Sequence, residues 1–132
     1  MAALRPPTMR RLHGDTRGAA ALEFAILLPL FVALIFGVMQ LGQALWTQSA
    51  LQHAVEMAAR CASVNTVVCG TATQVQAYAA TQAYGLALPA ATFSVATPAC
   101  GNEVTANYAL TLPVATPINT AITLNARACY PR

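Results

Sequence analysis

Residues 17–31 have the sequence RGAAALEFAILLPLF and open the longest apolar stretch of the chain. The apolar run continues from Ala19 to Met39, 21 residues in which Glu23 is the one charged residue. A helix of about 20 residues is long enough to cross the hydrocarbon core of a bilayer. The stretch therefore predicts a transmembrane helix, which we place at residues 19–41, and it raises the question of why such a helix carries a carboxylate.

The charges on either side of this run predict its orientation. All seven basic residues are Arg, four of them lie within the first 17 positions, and none follows the run until Arg60. Arg on one flank of a span marks the cytoplasmic side. We therefore expect residues 1–18 to be a cytoplasmic leader and residues 42–132 to be exported to the other side of the membrane. A nucleic-acid-binding protein would spread its Arg along a face with aromatic residues between them, so no nucleic-acid partner is predicted.

The cysteines favour disulfides over a metal site. All four follow the predicted span, at Cys61, Cys69, Cys100 and Cys129. An even number of cysteines in a small domain exported to an oxidising compartment predicts two disulfides. The sequence contains no CxxC pair, and its two histidines lie on opposite sides of the predicted membrane. A zinc site is therefore not expected, and nothing in the sequence indicates a cofactor.

Helix signals continue beyond the span. Residues 40–62 contain no Pro and one Gly, with apolar residues at helical spacing, so one helix of about 40 residues is predicted, its second half amphipathic. A second helix is predicted from Ala72 to Tyr84. Thr71 and Gln74 fit a capping box at its start, and Gly85 fits a cap at its end.

The last third of the chain changes to a period of two. Three segments alternate apolar and polar residues, namely TFSVAT (92–97), EVTANYALTL (103–112) and AITLNARACY (121–130). This alternation predicts a three-stranded antiparallel meander with one face to bury, and the helices are the available cover. The expected fold is α+β, a long N-terminal transmembrane helix continuing into a small exported domain with a second helix and a three-stranded sheet.

The strand pattern also suggests how the cysteines pair. Pairing the second and third strands around the 113–120 loop sets Leu112 near Ile122, and Cys129 then falls beside Thr105, close to Cys100. Cys61 and Cys69 flank the loop that follows the long helix. We therefore predict the pairs Cys61–Cys69 and Cys100–Cys129.

The start of the apolar run resembles the type IV prepilin processing site, in the segment RGAAALEF (17–24). In that family a membrane-embedded aspartic prepilin peptidase cuts after the Gly on the cytoplasmic side. The resemblance implies that Gly18 is the last leader residue, Ala19 the new N-terminus and Glu23 the fifth mature residue, followed by Phe24. It further implies that Glu23 forms an assembly charge pair with the new amine of a neighbouring subunit.

A longer resemblance covers residues 16–62, which are similar to the opening of TadE-like proteins, minor pilins or pseudopilins of the tight-adherence (Flp-type) pilus system. It depends on RGAAALEFA, LLPL, the G-x-x-Q-L-G run and the small residues ending in AAR. The C-terminal YALTLPVATPINTAITLNARACYPR loosely resembles the hairpin and final strand of the same proteins. The implied partners are other Tad/Flp pilins and minor pilins, the prepilin peptidase, the inner-membrane assembly platform and the membrane. The implied location is the bacterial inner membrane, with the C-terminal domain in the periplasm. Two features depart from the pattern: Phe24 stands where many Flp prepilins have Tyr, and the family does not demand the four cysteines.

Three other functions compete with that of a minor pilin: an enzyme, a secreted protein with a cleavable signal, and an uncleaved membrane anchor. The exported part offers only His53, Glu56 and Glu103 for acid–base chemistry. His53 and Glu56 are three residues apart on the long helix, a spacing more typical of a solvated helix face than of a catalytic pair, so we expect no enzymatic activity. A cleavable Sec signal fits poorly, because the apolar stretch is longer than a signal core. A single-pass envelope anchor that is never cut, with an exported binding domain, stays open as the alternative. The sequence also leaves open whether the protein enters a surface pilus, caps its tip or primes its assembly.

Overall fold

The predicted α+β arrangement is confirmed. The computed structural model describes residues 16–111 and 121–132. In chain order its elements are α1 (Thr16–Val64), α2 (Ala72–Thr81), a short 3₁₀ helix (Ala90–Thr92), β1 (Phe93–Ala96), β2 (Asn102–Thr111) and β3 (Ala121–Tyr130). Most of the predicted leader and the 113–120 loop lie outside the described residues.

The chain divides into two units, with the boundary between Met39 and Gln40. In the first unit every residue from Gly18 to Met39 is exposed, although most of these residues are apolar. By length and composition α1 can cross a membrane. Its Pro29 removes one backbone hydrogen bond, which membrane helices tolerate. A helix that is apolar on all sides and has no protein around it is suited to lipid.

The second unit, Gln40–Arg132, has its own core. One stripe of α1 is buried in it at the spacing of an amphipathic helix, and most of that stripe is Ala. The small side chains let the sheet and α2 approach the helix closely, and Phe93 fills the largest buried position. The core consists of Leu51, Ala54, Val55, Ala58, Ala59, Cys69, Val75, Ala79, Ala83, Phe93, Val104, Ala106 and Ala126.

Helix α2 begins as predicted and ends earlier. Its capping box is present, because the Gln74 N–H donates to the Thr71 hydroxyl (3.3 Å) and the Thr71 N–H donates to the Gln74 side chain (3.1 Å). The helix stops at Thr81 instead of Tyr84. Tyr84 and Gly85 both have positive φ, 43° and 79°, the pair of conformations that defines a type I′ turn. Gly85 therefore serves this turn and does not cap α2.

The sheet has the predicted topology and a different register. Its order is β1-β2-β3 with antiparallel neighbours. Ile122 lies opposite Leu110 and Cys129 opposite Glu103, so the predicted partners Leu112 and Thr105 are wrong by two residues. A shift of two keeps every side chain on its own face of the sheet. The alternation of apolar and polar residues therefore could not distinguish the two registers.

Glutamine side chains cap main-chain carbonyls on both outer strands. On β3, the Gln48 amide donates to the carbonyl of Asn125 (2.9 Å) and the Gln52 amide approaches that of Arg127 (3.5 Å). On β1, the Gln76 amide of α2 donates to the carbonyl of Phe93 (2.8 Å). Outer strands present unpaired backbone groups that can add another chain. The helices thus occupy hydrogen-bonding positions at both edges of the sheet.

The cap on β3 can be tested with one substitution. Replacing Gln48 by Leu removes the donor to Asn125, and a lost hydrogen bond of this kind costs about 1 kcal/mol. We expect Gln48→Leu to lower the free energy of unfolding of the full chain in detergent micelles by about that amount. Gln43→Leu, an exposed Gln on the same helix, is the control and should change it by less than about 0.5 kcal/mol. Equal effects of the two substitutions would contradict a cap.

A second prediction concerns Gly101, where β2 meets the end of β3. Its φ is +128°, and a Cβ added there would overlap the carbonyl oxygen of Tyr130. Gly101→Ala should therefore destabilise the second unit by at least about 2 kcal/mol, since backbone strain and overlap add. Gly42 has open space around a built Cβ, so Gly42→Ala should be neutral or slightly stabilising. Denaturant midpoints of the two variants, measured side by side, would contradict this if Gly101→Ala unfolded with the wild type.

Candidate functional site

The residues predicted to form the processing site lie together at the start of α1. Gly18, Ala19, Glu23 and Phe24 are all helical and exposed. The helix begins at Thr16, three residues before the predicted start at Ala19. The Gly18–Ala19 peptide bond therefore lies inside the first helical turn of the described residues.

Gly18 lowers the cost of unwinding the helix at this bond. Gly is about 1 kcal/mol less favourable than Ala in a helix. Around Gly18 a Cβ would meet nothing within 4 Å. Among the described residues the backbone at Gly18 is thus open to close approach, and it is easier to extend than an Ala at the same position would be.

Ala19 and Glu23 lie on the same face of α1. They are four residues apart, so their side chains occupy neighbouring turns on one side of the helix. The separation along the axis is about 6 Å at 1.5 Å per residue. A carboxylate therefore stands one turn from the nitrogen that a cut before Ala19 would release as a cationic amine. In the first turns of such a shortened helix the macrodipole also favours an anion.

Both predicted cysteine pairs are present in the second unit. Cys61 and Cys69 are bonded with Cα atoms 5.7 Å apart, and Cys100 and Cys129 with Cα atoms 6.3 Å apart. The first bond closes the loop after α1, where the Asn65 side chain accepts from the N–H groups of two loop residues. The second joins the turn before β2 to β3. The cysteine pairing was predicted correctly although the register was wrong, and the observed register brings Cys129 closer to Cys100, since it lies opposite Glu103 instead of Thr105.

One cluster in the described residues has the composition of a metal site. Ligand atoms of Cys100, Glu103 and Cys129 lie within 4.8 Å of one another. The two sulfurs are bonded to each other, so neither is a thiolate, the form that binds metal. The Glu103 carboxylate instead accepts from the guanidinium of Arg127. Because Arg127 is exposed, that ion pair is worth at most about 1 kcal/mol.

The structure separates the two residues considered for acid–base chemistry. The ring of His53 lies against that of Tyr84, with centroids 4.6 Å apart. Glu56 accepts a hydrogen bond from the Gln52 amide at 3.0 Å. His53 therefore contacts an aromatic ring and Glu56 a neutral amide, instead of each other.

A cleft beside the edge of β3 was missed by the sequence analysis. It is open, has a volume of about 420 Å³, and carries both signs of charge on its walls. Glu56 and Arg60, four residues apart on α1, could have indicated a charged helix face. The other wall of the cleft is β3, whose position could not be predicted without the register of β2 and β3. Its lining includes Gln52, Glu56, Met57, Arg60, Arg127 and Tyr130.

Comparison with known proteins identifies the first part of the chain. The model of the family described as TadE-like protein matches residues 18–60, which confirms the resemblance drawn from the sequence. The match begins at Gly18, runs along α1, and ends one residue before Cys61. No curated protein and no solved structure matches the chain. The TadE-like domain supports involvement in the Tad pilus system, and with the apolar α1 it indicates membrane association.

Proposed function

We propose that this TadE-like chain is a minor pilin, or pseudopilin, that contributes to assembly of a tight-adherence (Flp-type) pilus after a prepilin peptidase removes its leader. The observation that carries the proposal is the family match over residues 18–60. It begins at the Gly whose neighbouring bond would be cut and covers an exposed apolar helix that needs other hydrophobic surface around it. Components of this kind are structural, so no catalytic residue is assigned.

Processing would occur between Gly18 and Ala19. Proteases bind their substrates extended, and Gly18 lowers the cost of extending the chain there, since Gly is about 1 kcal/mol less favourable than Ala in a helix. The absence of a Cβ at Gly18 lets the peptidase approach the backbone closely. The new N-terminus would be the amine of Ala19, one helical turn from Glu23.

Assembly would use the charge of Glu23. When apolar helices bundle, the Glu23 carboxylate of one subunit can neutralise the Ala19 amine of its neighbour. Two lone charges in a low-dielectric bundle cost more than a pair, so the pair fixes the axial register of adjacent helices more than it adds stability. The role proposed for Glu23 thus accounts for a carboxylate in an otherwise apolar run.

The proposed topology has the N-terminus in the cytoplasm and the second unit in the periplasm. Arg residues precede the span, and both disulfides lie in the second unit, where an oxidising compartment would form them. The proposed partners are the prepilin peptidase, other Tad/Flp pilins and the inner-membrane assembly platform. The alternative, a single-pass anchor that is never cut, would use the charged cleft beside β3 to bind a partner.

Leader removal separates these two functions. In cells with an active prepilin peptidase, we expect the membrane-purified protein to begin at Ala19 by N-terminal sequencing and intact mass. Gly18→Val should block the cut, because the added side chain prevents close approach, whereas Gly37→Val should not, since Gly37 is an exposed helical Gly distant from the bond. An intact Met1 on the wild-type protein would favour the uncleaved anchor.

The charge of Glu23 is tested by Glu23→Gln, which keeps size and polarity. Cleavage after Gly18 should persist, because the peptidase chiefly reads the Gly and the leader. Surface pili should be lost, since an amine left unpaired in low dielectric costs about 3–5 kcal/mol. Glu56→Gln, an exposed Glu later on the same helix, is the control and should support normal pili. Both variants are expressed in a strain lacking the wild-type protein, and normal piliation with Glu23→Gln would contradict the charge pair.

A further inference from the structure

The first two turns of the second unit carry apolar side chains that its core does not cover. Leu41, Leu45 and Trp46 are each about 60% exposed, with Trp46 at 62%. On the other side of the same turns, Thr47 is 2% exposed. The helix at this level therefore has one face against the domain and an apolar face with no cover from the described residues.

The residues between these side chains distinguish this segment from the span. Gln40 and Gln43 interrupt the apolar sequence, and Thr47, Gln48 and Ser49 follow the tryptophan. Mixed polar and apolar side chains suit the headgroup layer of a bilayer better than its hydrocarbon. Tryptophan in particular is enriched there, because its ring is apolar and its N–H needs a polar partner. Trp46 is the one tryptophan in the chain.

We propose that the outer headgroup layer of the membrane surrounds residues 43–46 and that Trp46 anchors the exported unit at that depth. The partner of this apolar face is thus phospholipid and not a second protein. The inference rests on the proposed transmembrane topology and adds to it the position of the bilayer along α1. Its support is the exposure of Leu41, Leu45 and Trp46 directly after the span in sequence, followed at once by polar residues.

This position also assigns a depth to Glu23. The headgroup layer adds about 5–7 Å on each side of the hydrocarbon core, which is about four residues of helix. If residues 43–46 fill that layer, the hydrocarbon begins at Gly42. The roughly 20 residues needed to cross it end at Glu23. In the unassembled protein the carboxylate then lies at the inner boundary, within reach of water, at a cost well below that of the bilayer centre.

The depth of Trp46 can be measured by its own fluorescence. The purified full chain is reconstituted at low density in phosphatidylcholine vesicles that contain phosphatidylglycerol. The lipids carry bromine either near the headgroup end or near the methyl end of their acyl chains. We expect quenching of Trp46 to be stronger with the shallow bromines than with the deep ones, and quenching by aqueous iodide to be weak.

Two variants with matched exposure calibrate the measurement. Both carry Trp46→Phe, one with Leu34→Trp in the middle of the span and the other with Tyr84→Trp in the exported unit. Leu34 is 62% and Tyr84 60% exposed. The tryptophan at 34 should be quenched most by the deep bromines, and that at 84 by iodide and by neither lipid.

The outcomes distinguish a failure of this inference from a failure of the proposed transmembrane topology. If the tryptophan at 34 is not quenched by lipid, the proposed span itself fails. If it is quenched but Trp46 is quenched only by iodide, the interface lies elsewhere and the inference is overturned. Shielding of Trp46 from both bromine and iodide, with the tryptophan at 34 still quenched, would also overturn it, because a second protein copy would then cover this face.

Discussion

One helix must satisfy two surroundings, and the rest of the structure depends on how its sequence changes between them. Up to Met39 every described side chain of α1 is exposed and most are apolar, so this part needs a nonaqueous solvent on all sides. From Thr47 onward one stripe is buried and the opposite face becomes polar. The helix continues through the change without a break to Val64. A segment suited to lipid and a segment suited to a domain core are therefore parts of one helix.

The second unit packs against its part of α1 through small side chains. Ala54, Ala58 and Ala59 leave little volume between α1 and the sheet, and the close approach brings Gln48 and Gln52 within hydrogen-bonding distance of β3. Such a core contains few large apolar groups, and burial alone stabilises small domains weakly. Two disulfides supplement it, each typically worth about 2–4 kcal/mol. The close packing and the capped edges thus follow from one alanine-rich helix face. The disulfides add stability that so small a core does not supply.

Local patterns in the sequence predicted most of this arrangement, and tertiary contacts account for the rest. Helical period, the Thr71–Gln74 capping box and strand alternation identified both α-helices and all three strands, because these signals lie within a few residues of one another. The register of β2 and β3 was wrong by two, since alternation cannot detect an even shift. The end of α2 was misplaced, since the type I′ turn at Tyr84 and Gly85 was not recognised. The glutamine caps depend on distances set by packing between elements. The prediction of a processing segment rests on its motif alone, because an exposed, helical Gly18 has the same geometry in an anchor that is never cut.

Under the proposed topology, the spacing of the two disulfides gives the second unit an order of oxidation. In a chain that leaves the membrane from its N-terminal anchor, Cys61 and Cys69 emerge early, and a pair 8 residues apart can close at once. Cys100 must wait for a partner 29 residues later, on a strand that completes the sheet. The first bond can therefore form while the rest of the chain is still being exported, whereas the second can form only after β3 has paired with β2. Under that topology, the Cys100–Cys129 bond would form only after the last strand has crossed the membrane.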